Sequence, residues 1–219
     1  MMKIKYIGHA CFLLETSGGT RIITDPYEPG SFDGAVKYKP VGEGADIVLV
    51  SHGHADHNYT ASVSGNPRIV EQAGSYNIEG ISILGVSTYH DMSGGSERGT
   101  NIIFRMMTDG IAVCHMGDIG HTLDEATARQ LRPVDILMMP VGGFFTVGSD
   151  EADSLINSLT PGLVIPMHFK TEGVDFPIAP VDEFLSGRKE VLWEEGSEVE
   201  VTAGNLPEGV MVLNPANLP

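Results

Sequence analysis

Ser51-His52-Gly53-His54-Ala55-Asp56-His57 follows directly on the apolar run Asp46-Ile47-Val48-Leu49-Val50, and this stretch decides how the rest of the chain is read. The run is short, β-branched and apolar on both faces, the pattern of a strand buried inside a sheet. The histidines therefore stand at a strand end. In an extended segment side chains alternate, so His52 and His54 share a face and lie about 6.5 Å apart at roughly 3.3 Å per residue. Two imidazoles at that separation both reach one zinc, whose bonds to nitrogen are about 2.0 to 2.1 Å. Asp56 and His57 must then turn away from the pair and are free to serve a second ion beside it. The spacing suits two metals better than one, and a merely solvated loop would place it at the end of a buried strand only by coincidence.

The composition frames that stretch. At 219 residues with 42% hydrophobic residues, the chain is long enough for one sizeable core, and a single domain over 1–219 is expected. Glycine is frequent, with 27 residues, and proline contributes 13, which favours many short strands joined by turns. A formal charge of -16 repels a phosphate backbone over most of the surface and argues against a general nucleic-acid binder. Cys11 and Cys114 each sit in an apolar run and read as buried free thiols rather than a disulfide framework. The amino-terminal residues show no signal-peptide pattern, and no stretch approaches the roughly 18 apolar residues of a membrane span. A reducing, cytoplasmic setting is the expectation.

Strands are expected at 3–7, 11–15 and 21–24 as a meander that ends at Thr24-Asp25-Pro26, followed by a loop over 28–45. Asn58 to Ser64 is too small and β-branched for more than one or two helical turns. Further strands are expected at 68–70 and 81–86, then a hairpin of 101–107 and 111–115 around Thr108-Asp109-Gly110. Thr122-Leu123-Asp124-Glu125 reads as a capping box, with Thr122 as N-cap, opening a helix to about Leu131. A strand over 135–140 leads into the glycine-rich Val141-Gly142-Gly143-Phe144-Phe145-Thr146. An amphipathic helix begins at Ser149, with apolar Ala152, Leu155, Ile156 and Leu159, and a strand over 163–167 delivers His168. A short helix near 181–185 and strands at 190–193 and 198–201 complete the chain. Two packed sheets with a few outer helices, few of them in the first half, follow from this order.

Four apolar strands thus run into a candidate ligand: Val50 before His52, Val86 before His90, Val113 before Asp118 and Met167 before His168. Strand carboxyl ends are where ligands collect in layered α/β folds, so the four ends can meet in one crevice. The pattern His52-x-His54-x-Asp56-His57, then His90, Asp118 and His168, resembles the metallo-β-lactamase superfamily and keeps its order across nearly the whole chain. Gly8-His9-Ala10, Thr24-Asp25-Pro26, Met116-Gly117-Asp118, the 140–146 glycine-rich stretch and Ile165-Pro166-Met167-His168 look like its branch of metal-dependent hydrolases similar to the ascorbate-6-phosphate lactonase group.

That resemblance implies an α/β (α+β) four-layer αββα sandwich with the site on the edge between two sheets. It assigns His52, His54 and His90 to one metal, Asp56, His57 and His168 to a second, and Asp118 between them. It also implies a metal-dependent hydrolase in which a hydroxide bridging two ions attacks a small ester, lactone or phosphodiester, with Asp56 and Asp118 as the catalytic carboxylates. Zinc is the first choice because histidine dominates, while Asp56 and Asp118 leave manganese, nickel or iron open. The family often follows its histidine-rich loop with a full helix, which Asn58 to Asn66 cannot easily supply.

Among the neighbours, Asp25 either holds a ligand imidazole by its second ring nitrogen or caps a turn. His115 and His121 flank Asp118 as candidate proton donors to a leaving group, and His9 can line the same edge. Gly142 and Gly143 either bring backbone N–H groups to a substrate anion or permit a tight turn. Arg98, Arg105 and Lys170 are candidate anion clamps. A nuclease of the same fold, a non-catalytic metal or ligand sensor and an oxygen- or NO-reducing di-iron protein are the competing readings. The charge opposes the first, only an assay excludes the second, and the third has an acid where His54 stands and an attached flavin domain for which this chain is too short. A small-molecule substrate is the expected partner, with the oligomeric state open.

Overall fold

The computed structural model describes residues 1–219. In chain order the strands are β1 (Met2–Gly8), β2 (Cys11–Glu15), β3 (Arg21–Thr24), β4 (Ile47–Leu49), β5 (Arg68–Val70), β6 (Gly74–Ile78), β7 (Ile81–Tyr89), β8 (Thr100–Thr108), β9 (Ile111–His115), β10 (Ile136–Pro140), β11 (Leu163–Met167), β12 (Val191–Trp193), β13 (Glu198–Val201) and β14 (Gly209–Val212). Helical segments are α1 (Ser31–Gly34), a single turn, α2 (Glu125–Leu131), α3 (Ser149–Leu159) and α4 (Val181–Leu185). The strands form a six-stranded sheet ordered β13-β1-β2-β3-β4-β5 and an eight-stranded sheet ordered β12-β14-β11-β10-β9-β8-β7-β6.

The first meander pairs antiparallel as expected, with Lys3 opposite Glu15 and Glu15 opposite Arg21. The inner strands β1 to β4 bury residues on both faces, while the edge strands β5 and β13 are largely exposed. Ile4, Phe12, Leu14, Ile22, Ile47 and Leu49 join the core between the sheets, whereas Ile7, Leu13, Ile23 and Val48 face outward under Tyr27, Val36, Tyr38 and Phe176. Loops, not helices, therefore cover the outer face of the six-stranded sheet. The other outer face is helical: α2 and α3 bury Ala128, Leu131, Ala152, Leu155 and Leu159 against the eight-stranded sheet. Two packed sheets with few helices, as in a metallo-β-lactamase-like sandwich, is the observed architecture.

Several local expectations need correction. Asp124, not Thr122, caps α2, because its carboxylate accepts the Thr127 N–H at 2.7 Å. Two strands, β6 and β14, were not expected. Gly74–Ile78 is exposed at a sheet edge and carries no alternation to mark it, and Gly209–Val212 pairs only because β11 and β12 flank it. Within the hairpin, Thr108 faces Ile111 across a two-residue turn in which Asp109 and Gly110 both take positive φ, 53° and 73°.

Strand polarity positions the site. β7 and β9 both run antiparallel to β8, and β9, β10 and β11 are mutually parallel, so the ends of β7, β9 and β11 lie on one edge of the large sheet. The end of β4 in the small sheet joins that edge where the Ile102 N–H bonds the Ser51 carbonyl at 2.9 Å. No helix is long and apolar enough to cross a membrane.

Candidate metal centre

β4 stops at Leu49, so the residues after it are not extended. His57 and Asn58 both donate their N–H to the His54 carbonyl, at 2.9 and 3.1 Å, folding 54–58 into a tight turn. The consequence is closer than an extended segment allows: His52 Nε2 and His54 Nδ1 stand 3.0 Å apart. Together with His90 they form one group whose ligand atoms lie within 4.8 Å of one another, and His9, Asp56, His57 and His168 form another.

Asp118 lies between the two groups. Its Oδ2 is 3.2 Å from Nε2 of each of His57, His90 and His168, and 4.0 Å from His52 Nε2. One carboxylate oxygen does not accept from that many rings with good geometry. Two donors on one tetrahedral zinc, by contrast, stand about 3.3 Å apart when each bond is about 2.0 to 2.1 Å. Asp56 Oδ1, His57 Nε2 and Asp118 Oδ1 are buried without a hydrogen-bond partner, a costly arrangement in a closed protein. Histidine nitrogen and carboxylate oxygen are the donors a divalent transition ion prefers, so the residues fit such an ion chemically as well as spatially.

The charge states agree. Burial would raise the Asp118 carboxyl, but His168 and His57 hold it well below the usual carboxylate range. Burial opposes a charge on His57, yet Asp118 and Asp56 beside it push its ring the other way, well above the ordinary value. Burial lowers His52 to about 3 and His9 to about 4, leaving both neutral and able to offer a lone pair near pH 7. A proton on His57 is thus the cation that the surrounding carboxylates tolerate, and a metal ion would displace it.

The groups behind the cluster are as well defined as the cluster. Asp25 accepts from the Ser51 N–H at 2.7 Å, the Ser51 hydroxyl at 2.6 Å and His57 Nδ1 at 3.0 Å. Of the two alternatives, its bonds go to the His57 ring and to Ser51 across the β3–β4 pair, not to a turn of its own. Ser51 Oγ is also 2.9 Å from His52 Nδ1, which extends the network to a second imidazole. His9 Nε2 is 3.0 Å from Asp56 Oδ2, and the His9 carbonyl accepts the His168 N–H at 2.9 Å. His9, Asp25 and His168 all take left-handed backbone conformations, with φ of 57°, 41° and 52°. Such strain persists only where the surroundings over-determine it, and here it is concentrated at one spot.

Other candidates fall elsewhere. His115 is fully buried and turned away, its Nε2 donating to the Ala10 carbonyl at 2.8 Å while Nδ1 accepts the Gly117 N–H. His121 accepts the Tyr89 N–H and donates to the Thr122 carbonyl, outside both groups. The Gly143 N–H is spent on the Val147 carbonyl, and a Cβ on Gly142 would come within 2.2 Å of the His168 carbonyl, so Gly142 serves close packing behind His168 and Gly143, at φ 62°, the turn. Arg105 donates to the Pro133 carbonyl, and Lys170 pairs with Asp175 and the Phe176 carbonyl. Only Arg98 of the three basic residues reaches the vicinity, its guanidinium 5.9 Å from the Phe145 ring centre.

Sequence reasoning missed Asn101. Its amide donates to Thr88 Oγ1 and the Met116 carbonyl, and its Oδ1 accepts the Asp118 N–H at 2.9 Å. A polar residue opening the apolar strand Asn101-Ile102-Ile103-Phe104 was the available signal. It also missed the roof. A cavity of about 120 Å³ has Asp56, His90, Asp118 and His168 on its floor and Phe32, Phe145 and Phe176 around it. A larger hollow of about 460 Å³ between Gly142–Phe144 and Pro177–Pro180 contains none of the cluster.

Comparison with known proteins agrees with this geometry. A family model described as a Beta-lactamase superfamily domain matches residues 3–168. A UPF0173 metal-dependent hydrolase of Thermococcus kodakarensis is 32% identical over 231 residues, spanning 92% of this chain and 100% of its own. A Thermotoga maritima crystal structure, described as a candidate Zn-dependent hydrolase of the metallo-β-lactamase superfamily, is 37% identical, with a TM-score of 0.81 over 97% of this chain and 98% of that one. Igni18, a metallo hydrolase of Ignicoccus hospitalis, shares the fold at 21% identity and a TM-score of 0.60, over 84% of this chain and 88% of its own.

Proposed function

The chain belongs to the β-lactamase superfamily domain family, and from that premise we propose that this metal-dependent hydrolase holds two divalent ions and cleaves a small ester, lactone or phosphodiester. His52, His54 and His90 hold one ion, Asp56, His57 and His168 hold the other, and Asp118 stands between them. Zinc is the first choice for both. The observation that carries the reading is the position of Asp118 Oδ2, 3.2 Å from three imidazole nitrogens.

Bound divalent metal supplies Lewis-acid polarisation of the carbonyl or phosphoryl oxygen and a water acidified to hydroxide near neutral pH. The chain supplies the rest. Asp56 is fixed through Oδ2 by His9 and keeps Oδ1 free on the cavity floor. Burial would raise its carboxyl, but His57 and the His9 bond hold it below the usual range, so it is ionised at neutral pH and Oδ1 is the oxygen it would present to the ion it holds. Asp25 and Ser51 keep His57 and His52 presenting their Nε2 lone pairs inward. The three phenylalanines limit solvent access to the reacting atoms.

The substrate on this reading is a small molecule met in the cytoplasm by one domain spanning 1–219, a setting supported by the free, buried thiols of Cys11 and Cys114. The charge of -16 weighs against the nuclease alternative. The test is elemental analysis of protein purified with neither chelator nor added metal, then zinc or manganese reconstitution and a panel of esters, lactones and phosphodiesters. Bound transition metal, with turnover lost in His54→Ala and Asp118→Ala, is the expected result. No bound metal in wild type overturns the reading.

A further inference from the structure

Phe32, Phe145 and Phe176 form one aromatic unit over the cluster. Phe176 is buried, and the rings of Phe32 and Phe145 each meet it edge-on with centroids 5.6 Å away. Phe176 also lies 5.7 Å from the His9 ring, which ties the unit to the floor. Its two outer members stand at the edge of the core, Phe145 partly buried against it. Phe32 remains 50% exposed and is held on the α1 turn with φ 52°, a left-handed conformation that a bulky side chain rarely adopts. Phe145 follows Phe144, which has φ 61° and is itself exposed, and the Arg98 guanidinium packs over the Phe145 ring. The Arg98 loop is in turn pinned by Asp91, whose carboxylate accepts the N–H groups of Ser93, Gly95, Glu97 and Arg98. Two strained turns and one braced loop thus set Phe32 and Phe145 around the buried Phe176 at the cavity wall, and backbone strain of this kind is concentrated at sites that act on a ligand.

Resting on the hydrolase reading above, we propose that this cavity selects a substrate carrying a compact apolar or aromatic group, rather than a hydroxylated one, next to the reacting carbonyl. The size follows from the volume. At about 120 Å³, below the roughly 150 Å³ of an apolar cavity that accepts benzene, and with the reacting carbonyl sharing the floor beside Asp118, the space admits only a compact group whose far side meets the half-exposed Phe32. The chemistry follows from the walls. Three phenyl rings offer no hydrogen bond, so hydroxyls placed against them lose their water without replacement. A phosphorylated sugar lactone, the substrate type suggested by the resemblance to the ascorbate-6-phosphate lactonase group, does not suit these walls. A phenyl or branched alkyl group does, with offset or edge-on ring contacts to Phe145 and Phe32.

The test is calorimetric titration of metal-loaded protein with two product-like acids, phenylacetate and glycolate, in wild type, Phe32→Ala and Phe145→Ala, followed by hydrolysis of their methyl esters. Phenylacetate binding at least tenfold tighter than glycolate in wild type, with the ratio falling several-fold in each variant, is expected, and the ester preference should move the same way. Phe32 is half exposed and Phe145 packs only at the margin of the core, so both variants should fold, which a thermal melt verifies; Phe145→Leu, which keeps much of the packing volume, stands in if Phe145→Ala melts early. Equal binding of the two acids, or tighter binding of glycolate, overturns the proposal in a protein that still carries metal. Absence of bound metal overturns the hydrolase reading instead, so the two failures are distinct.

Discussion

Replacing Asp25 with Asn separates the carboxylate's charge and acceptor pattern from its shape. Asp25 accepts three donors: the Ser51 N–H at Oδ1 and the Ser51 hydroxyl and His57 Nδ1 at Oδ2. An amide has one oxygen, so either its NH2 faces His57 Nδ1–H or it faces the Ser51 N–H, and one donor meets a donor in both orientations. The escape open to His57 is to move its proton to Nε2, which removes the lone pair aimed at Asp118 and the second ion position. Losing a partner of this kind costs about 10- to 100-fold in metal affinity, or about 1.4 to 2.7 kcal/mol. The assay is zinc competition against a chromophoric chelator, wild type against Asp25→Asn, with Ser51→Ala as the milder comparison because it removes only one hydroxyl. The weaker of two binding steps should fall by that factor and the stronger by less. Affinities within twofold of wild type at both steps would refute the argument that Asp25 fixes the His57 tautomer.

Asn101→Ala removes the acceptor of the Asp118 N–H and two further bonds, and should cost about 1 to 3 kcal/mol of stability in a urea titration together with activity, since Asp118 loses its backbone anchor. Gly142→Ala forces a Cβ to within 2.2 Å of the His168 carbonyl, so it should weaken metal binding more than chain stability, read by the same chelator competition and a thermal melt. Glu43 pairs with Lys5 at 2.9 Å and Arg21 at 2.7 Å, and the Lys5 bond first, opposed by partial burial, lowers its carboxyl from 4.5. A lowered folded value gives stability that is present above 4.5 and lost as pH falls through the folded value, so the gap between wild type and Glu43→Gln, about 1 kcal/mol or less at pH 7, should narrow below pH 4.5 and stay constant between pH 5 and 7. Chelator treatment should lower the melting temperature by an amount that grows with the logarithm of the ratio of metal concentration to its dissociation constant.

The cluster's positions were legible because its members follow apolar runs, and a strand end is readable from composition alone. The convergence of His52, His90, Asp118 and His168 needed only strand polarity, which the alternation of hairpin and helix-linked strands supplies. What the sequence did not disclose was set by contacts remote in the chain. Asn101 matters through Asp118, 17 residues on, and the aromatic roof joins Phe32 to Phe145 and Phe176 across more than a hundred positions. Local rules also failed where the chain leaves its regular elements. His52 and His54 approach by a turn rather than along a strand, and β14 has a pattern too short to stand out without its flanking partners.

Native mass spectrometry of zinc-reconstituted protein tests the central claim most directly. Two ions per chain in wild type, one in His54→Ala and fewer than two in Asp118→Ala are the predicted masses. A wild-type chain that carries no zinc, or a His54→Ala chain that carries as much as wild type, would contradict the account.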